Sequence, residues 1–345
     1  MSDGEDGGAL TLVEMVTSIP LPVMEDLQIK RNRYEGGTDG LKKRISIVTG
    51  IHGDELEGQY VCFELGRRIQ EHPEYLNGIV DVYPAINPLG IDSITRGVPG
   101  FDIDLNRLFP GNEDGTMTEY LAAQVIKAIV GSDLVLDIHA SNIFLTEVPQ
   151  VRINTLHQDW LVPIAQQLNV DFIWVHANST VLESTFAFSL NSRNTPTLVV
   201  EMGVGMRLTE QYCMQLTDGI FNVMHEMGIW NGPVGPVRRP MISTEEDDVS
   251  FLNAPVAGVF VQKAHHGDML EEGGLVGLIV DPLEGKILSE VTAPQDGLLF
   301  TIREHPVVNE GSLVGRILKK EAALTGDIAR MQCVPVQDPE GRDRS

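Results

Sequence analysis

The chain has 345 residues, 42% of them hydrophobic and 21% charged, with a formal net charge of −24 at pH 7. That length can bury at least one large core, and two domains are expected. The charge argues against nucleic acid or an anionic membrane as a partner, and no apolar run is long enough to span a bilayer.

Residues 1–40 read as an acidic segment, opening MSDGEDGGAL, followed by a leading strand. The opening has no basic region followed by an apolar one, so it is unlike a secretory signal and points to the cytoplasm. From 41 to 230, strand-like and helix-like segments alternate. The β-branched run Ile45–Thr49 predicts a buried strand, and a helical pattern starts near Leu56. Further buried strands are expected at VDVYPAI (80–86), DLVLDIHA (133–140), DFIWVHA (171–177) and TLVVEMG (197–203). Between them TEYLAAQVIKAIVG and DWLVPIAQQLN are helical, and a long helix around RLTEQYCMQLTDGIFNVMHEMG closes the region. This predicts an α/β domain with a mixed, largely parallel sheet flanked by helices. Ligands of such sheets gather at the carboxyl ends of strands, where His52, His139 and Glu201 lie.

Residues 231–250 open with the Pro/Gly-rich NGPVGPVRRP and read as a linker. A β unit is expected over 251–320, because APVAGVF (254–260) recurs as APQDGLLF (293–300) and EGGLVGLI (272–279) as EGSLVGRI (310–317). Two such half-units would pack face to face as a small all-β sandwich, similar to biotinyl and lipoyl carrier domains. Lys286 has the carrier-lysine spacing before Ala293, but methionines do not flank it, and it reads as a solvated hairpin lysine. Residues 321–345 read as a tail. Cys62, Cys213 and Cys333 are far apart and form no CxxC, which suits reduced, non-structural thiols.

The chemistry concentrates in HGDE, residues 52–55. His52 and Glu55 can clamp one side of a metal from a single turn, with Gly53 allowing the tight turn. Asp54 reads as a helix cap. A catalytic zinc needs three protein ligands and an open position. His139, ending an otherwise apolar strand, is the candidate for the third. Glu201 ends a later strand, where a buried carboxylate needs a partner such as a water whose proton it takes. The remaining histidines, at 72, 157, 176, 225, 265, 266 and 305, lack a matching carboxylate at a strand end and read as structural or solvated.

GIHGDE, DLNR, LDIHAS and VVEMG, in that order, resemble the succinylglutamate desuccinylase and aspartoacylase family within the zinc carboxypeptidase superfamily. The resemblance covers most of the chain. It implies one Zn2+ per chain on His52, Glu55 and His139, with Glu201 as general base and acid. It implies Arg96 as the oxyanion's partner, Asn106 and Arg107 as holders of a substrate carboxylate, and Asp104 as the group behind His52. The expected reaction is hydrolysis of an N-acylated amino acid or related N-acyl amine. The sequence departs from the aspartoacylase branch in two places. Leu190 and Asn191 stand where that branch has an extra substrate-binding arginine, with Arg193 closer to the base. No tyrosine follows Tyr212, and Leu313 and Val314 lie where that branch has one. Both departures argue against N-acetylaspartate. Two alternatives are a zinc carboxypeptidase acting on a small peptide, and an inactive scaffold or carrier built on the β-sandwich. That sandwich is expected to shape the mouth of the site or to supply a contact in a homo-oligomer.

Overall fold

The computed structural model describes residues 10–37, 40–176 and 184–320. The acidic opening, the expected tail and Cys333 lie outside the described residues. Two long antiparallel strands come first, β1 (Leu10–Pro20) and β2 (Asp26–Glu35). The alternating region runs β3 (Arg44–Thr49), α1 (Glu57–Glu71), β4 (Ile79–Tyr83), α2 (Pro88–Ser93), α3 (Met117–Ile129), β5 (Leu134–Ala140) and β6 (Leu145–Ile153). It continues α4 (Gln158–Ala165), β7 (Phe172–Val175), α5 (Phe186–Asn191), β8 (Thr197–Gly203) and α6 (Glu210–Glu226). Within 231–250, Met241–Ser243 forms β9, parallel to β7. The last part is all β: β10 (Val249–Asn253), β11 (Gly258–Gln262), β12 (Met269–Leu270), β13 (Leu275–Asp281), β14 (Lys286–Thr292), β15 (Gly297–Arg303), β16 (Val307–Val308) and β17 (Leu313–Lys319). No helix among the described residues is long and apolar enough to cross a membrane.

The main sheet has the order β1-β2-β4-β3-β5-β8-β6-β15-β17-β10. Strands β4, β3, β5 and β8 run parallel, as expected, and β2 and β6 flank them antiparallel. Period-two alternation sorts the side chains between two faces. Leu134, Leu136, Ile138, Leu198, Val200, Val151 and Ile153 join the core with α1, α4 and α6. Val48 and Val135 face the other way, into a core built with α3 and α5. Asp137, His139, Glu201, Gln150 and Arg152 occupy that second face by strand parity, because they alternate with residues of the first core. The sheet is thus apolar on one face and carries a polar row at its carboxyl edge on the other.

A second, antiparallel sheet has the order β14-β13-β11-β16. The sequence repeat accounts for its pairing. Strand β11 of the first half pairs with β13, and β15 of the second half pairs with β17. The short strands are exchanged: β12 pairs β15, while β16 pairs β11. Met269↔Leu298 and Val259↔Val307 are equivalent pairs, so the two halves interlock with approximate two-fold symmetry. Phe260, Val276, Ile279, Leu299, Val314 and Ile317 from both sheets fill one shared core.

Candidate active site

Strand β3 ends at Thr49, and Gly50 takes a positive φ of 69°, which turns the chain toward His52. The turn then packs against α2. A Cβ on Gly53 would lie 1.9 Å from the carbonyl carbon of Gly90, so glycine is required here by close approach rather than by a left-handed φ. The Gly53 N–H donates to the Thr95 carbonyl at 3.1 Å, which fastens the segment carrying Arg96 to the turn. Asp54 does not cap α1. The N-cap is Leu56, without a side-chain cap bond, and Asp54 Oδ1 is buried with no hydrogen-bond partner. The helix begins too late for that carboxylate to reach its free N–H groups.

His52, Glu55 and His139 are each at least 95% buried and lie together. Glu55 bridges the two imidazoles, Oε1 at 2.7 Å from His52 Nδ1 and Oε2 at 2.8 Å from His139 Nδ1. One donor atom from each residue lies within 4.8 Å of the others. The far ring nitrogens face carboxylates. His52 Nε2 is 3.1 Å from Asp104 Oδ1, and His139 Nε2 is 3.1 Å from Asp137 Oδ1, though off the angle of a hydrogen bond. Burial opposes charge on both imidazoles. Even so, Glu55 and Asp104 raise the pKa of His52, and Asp137 and Glu55 raise that of His139 well above the usual value. Burial also opposes the Glu55 charge, but the two imidazoles outweigh it and bring its pKa down to about 2. Such a donor set suits a divalent cation, which would replace the shared protons, while carboxylates behind the rings orient them.

The DLNR segment stands beside this cluster. Asp104 Oδ1 also accepts from the Asn106 N–H at 2.9 Å, and the His52 imidazole and neighbouring arginines hold the Asp104 carboxyl well below its usual pKa despite burial. Arg96 reaches Glu55 Oε1 at 3.1 Å and Asp104 Oδ2 at 3.4 Å. Arg107 is 47% exposed, donates to the Asn106 carbonyl at 2.9 Å and lies 3.9 Å from Asp104. Asn106 Oδ1 accepts from the Phe186 N–H at 2.9 Å, which leaves its Nδ2 to donate elsewhere.

Glu201 on β8 is directly opposite His139 on β5 and Gln150 on β6. Burial pushes its pKa up, and Arg152 and His139 bring it part of the way back. Arg152 Nη1 lies 3.2 Å from Glu201 Oε1, and this arginine was not among the residues expected at the site. The missed signal was parity on β6, where Gln150 and Arg152 alternate with buried Val151 and Ile153. Pro149 hides it, because proline argues against a central strand except at a bulge, and the β6–β8 register does shift between Glu147 and Gln150. Asn191 does not replace the missing arginine. It bonds Thr197 at the amino end of β8, away from the polar row.

Residues 42–227, more than half of the chain, match the profile of the succinylglutamate desuccinylase/aspartoacylase catalytic domain. The chain belongs to that family. As a member it is a hydrolase of amide bonds, the bond its named members cleave. The N-alpha-acetyl-L-2,4-diaminobutyric acid deacetylase of Halomonas elongata is 25% identical over 293 residues, covering 81% of this chain and 82% of that protein. Among solved structures, a succinylglutamate desuccinylase/aspartoacylase from Rhodobacter sphaeroides superposes with a TM-score of 0.75 at 24% identity, covering 92% of this chain and 98% of that one. The product-bound ectoine utilization protein EutE (DoeB) of Ruegeria pomeroyi gives 0.76 at 20% identity, covering 91% and 96%. These two likenesses establish the shared fold over both the α/β and the β parts of the family member.

Proposed function

We propose that the chain is a zinc-dependent deacylase that hydrolyses the amide of an N-acyl amino acid or related N-acyl amine. The observation that carries this is the convergence of His52, Glu55 and His139, with Glu201 one strand away from His139. One Zn2+ held there would supply Lewis acidity toward the amide carbonyl and a water acidified to a pKa of roughly 7. Glu201 takes a proton from the attacking water at its carboxylate and returns it to the leaving nitrogen. The amide C–N bond breaks, the acyl group leaves as a carboxylic acid and the amine is freed. Arg96, half-exposed beside Glu55, donates to the oxygen on which negative charge develops. Asn106 Nδ2 and the Arg107 guanidinium hold the carboxylate of the amino acid.

The deacetylase from Halomonas elongata supports a substrate whose amine part is an amino acid. The interlocked repeat of the C-terminal unit supports its likeness to a biotinyl or lipoyl sandwich. Lys286, exposed and paired with Glu284, is a solvated hairpin residue. The test is metal analysis of the purified protein together with a screen of N-acyl amino acids against short peptides. One zinc per chain and turnover of an acyl amino acid are expected. A sub-stoichiometric metal content with no hydrolysis would reject the assignment, and cleavage of peptides alone would make it a carboxypeptidase.

A further inference from the structure

Glu201 is connected to the C-terminal β unit by a line of charged groups that the chemistry above does not use. Arg152 gives one guanidinium nitrogen to Glu201 and the other to Glu147, at 2.9 and 3.2 Å from its two oxygens. Glu147 is 1% exposed. Its Oε1 also accepts from Arg316 Nη1 at 2.6 Å and from Thr301 Oγ1 at 3.1 Å. Arg316 lies on β17 and Thr301 on β15, and the backbone of Thr301 pairs in register with that of Glu147. Both guanidiniums are steadied by one aromatic ring, with Arg152 5.9 Å and Arg316 5.8 Å from the Trp174 centroid.

Two carboxylates and two guanidiniums balance within this line, so it is complete without a substrate. Buried ion pairs contribute little net stability, because desolvation offsets their attraction, but they impose geometry. A glutamate side chain rotates about three bonds, and a base acts only from within hydrogen-bond reach of its proton. Arg152 holds Oε1, and among the described residues nothing donates to Oε2, which is left for the proton.

We propose that the C-terminal β unit positions the catalytic base: Arg316 and Thr301 hold Glu147, Glu147 holds Arg152, and Arg152 holds one oxygen of Glu201. Arg152, Glu147 and Arg316 are positioning residues. The proposal rests on the reading of Glu201 as the base.

The test uses the full, zinc-loaded chain carrying Glu147→Gln and Arg316→Met together. This pair leaves no buried charge unpaired and keeps an unbranched stem beside Trp174. The expected result is a fall in kcat on the order of 10²-fold, the effect of a small misplacement, with KM and zinc content unchanged. Arg316→Lys should recover part of the kcat lost in Arg316→Met, and it supplies the same kcat-against-KM comparison if the double variant does not fold. Normal kcat in the double variant, with Glu201→Gln inactive, overturns the relay and leaves the base in place. A rise in KM at constant kcat also overturns it, because the arginines would then bind substrate. If the wild-type chain hydrolyses no acyl amino acid, the proposed function fails instead. Crystal structures then decide the relay, which falls if the Arg152–Glu201 contact is unchanged in the double variant.

Discussion

His52 and His139 are both hydrogen-bonded to Glu55, which also accepts from Arg96 Nη1 and from the Ala140 N–H. His52→Ala or His139→Ala is expected to remove zinc and activity together, since two remaining ligands hold the ion poorly; a full zinc complement in either variant would show the ligand assignment to be wrong. Glu201→Gln keeps the shape of the side chain but cannot take a proton. It should retain metal and fold while kcat falls ~10²–10⁴-fold, and near-normal turnover would exclude Glu201 as the base. Arg107 bonds the Asn106 carbonyl and is otherwise half-open to solvent, as a substrate contact requires. Arg107→Ala should weaken kcat/KM by about 2 kcal/mol or more for a substrate with a free carboxylate, and much less when that carboxylate is an amide. Equal penalties on the two substrates would make Arg107 structural. Of these residues, the HGDE pair, His139 and Glu201 were readable because each marks a strand end. Arg152 was not, because the residue it contacts, Glu201, is 49 positions away in the chain.

At the scale of elements, strand parity builds the site. Strands β5 and β8 present Leu136, Ile138, Leu198 and Val200 to α1, α4 and α6, and their carboxyl ends turn Asp137, His139 and Glu201 to the opposite face, so a strand that reads as uniformly buried is in fact divided. The start of α1 is divided in the same way. Glu57 has 0% exposure, its Oε2 accepts from the Thr209 N–H at 2.7 Å and from Cys213 Sγ, and its Oε1 is without a partner. Burial raises its pKa above the ordinary 4.5, against the smaller pull of Thr209 and Cys213. A raised folded-state pKa contributes stability fully below 4.5 that is lost as pH rises through the folded value, so at pH 7 the ionised carboxylate is a cost. Glu57→Gln should therefore raise Tm at pH 7, and the gain should shrink as pH falls through the raised folded-state value toward 4.5. A gain that is constant with pH would assign the effect to packing instead.

At the scale of the molecule, the β unit is built into the hydrolase rather than appended to it. Strand β15 extends the main sheet from β6, and Val148, Phe172 and Trp174 share a core with Val249, Leu298, Phe300 and Leu318. Removing residues 244–345 would expose the edge of β6, strip that core of one side and leave Glu147 without two of its partners. The shortened chain is expected to aggregate or to melt without cooperativity, as size-exclusion chromatography and circular dichroism would show. A monodisperse, cooperatively melting product that keeps its zinc would mean that the α/β part is self-sufficient.

By itself the sequence determined what depends on near neighbours along the chain: the alternation of strands and helices, the HGDE turn after β3, the DLNR segment and the repeat that interlocks the C-terminal halves. These are legible because hydrophobic period and turn chemistry act over a few residues. Even there it misassigned one detail, since Asp54 lies too early to cap α1. Only the tertiary structure decided which distant strands pair and in which register. The shift at Pro149 sets Gln150 against Glu201, and the β6–β15 pairing brings Thr301 and Arg316 to Glu147, the latter across 169 residues. A charged residue in a sequence carries no mark of its partner, because the ion pair forms only after backbone hydrogen bonds and the packed core have fixed which edges meet.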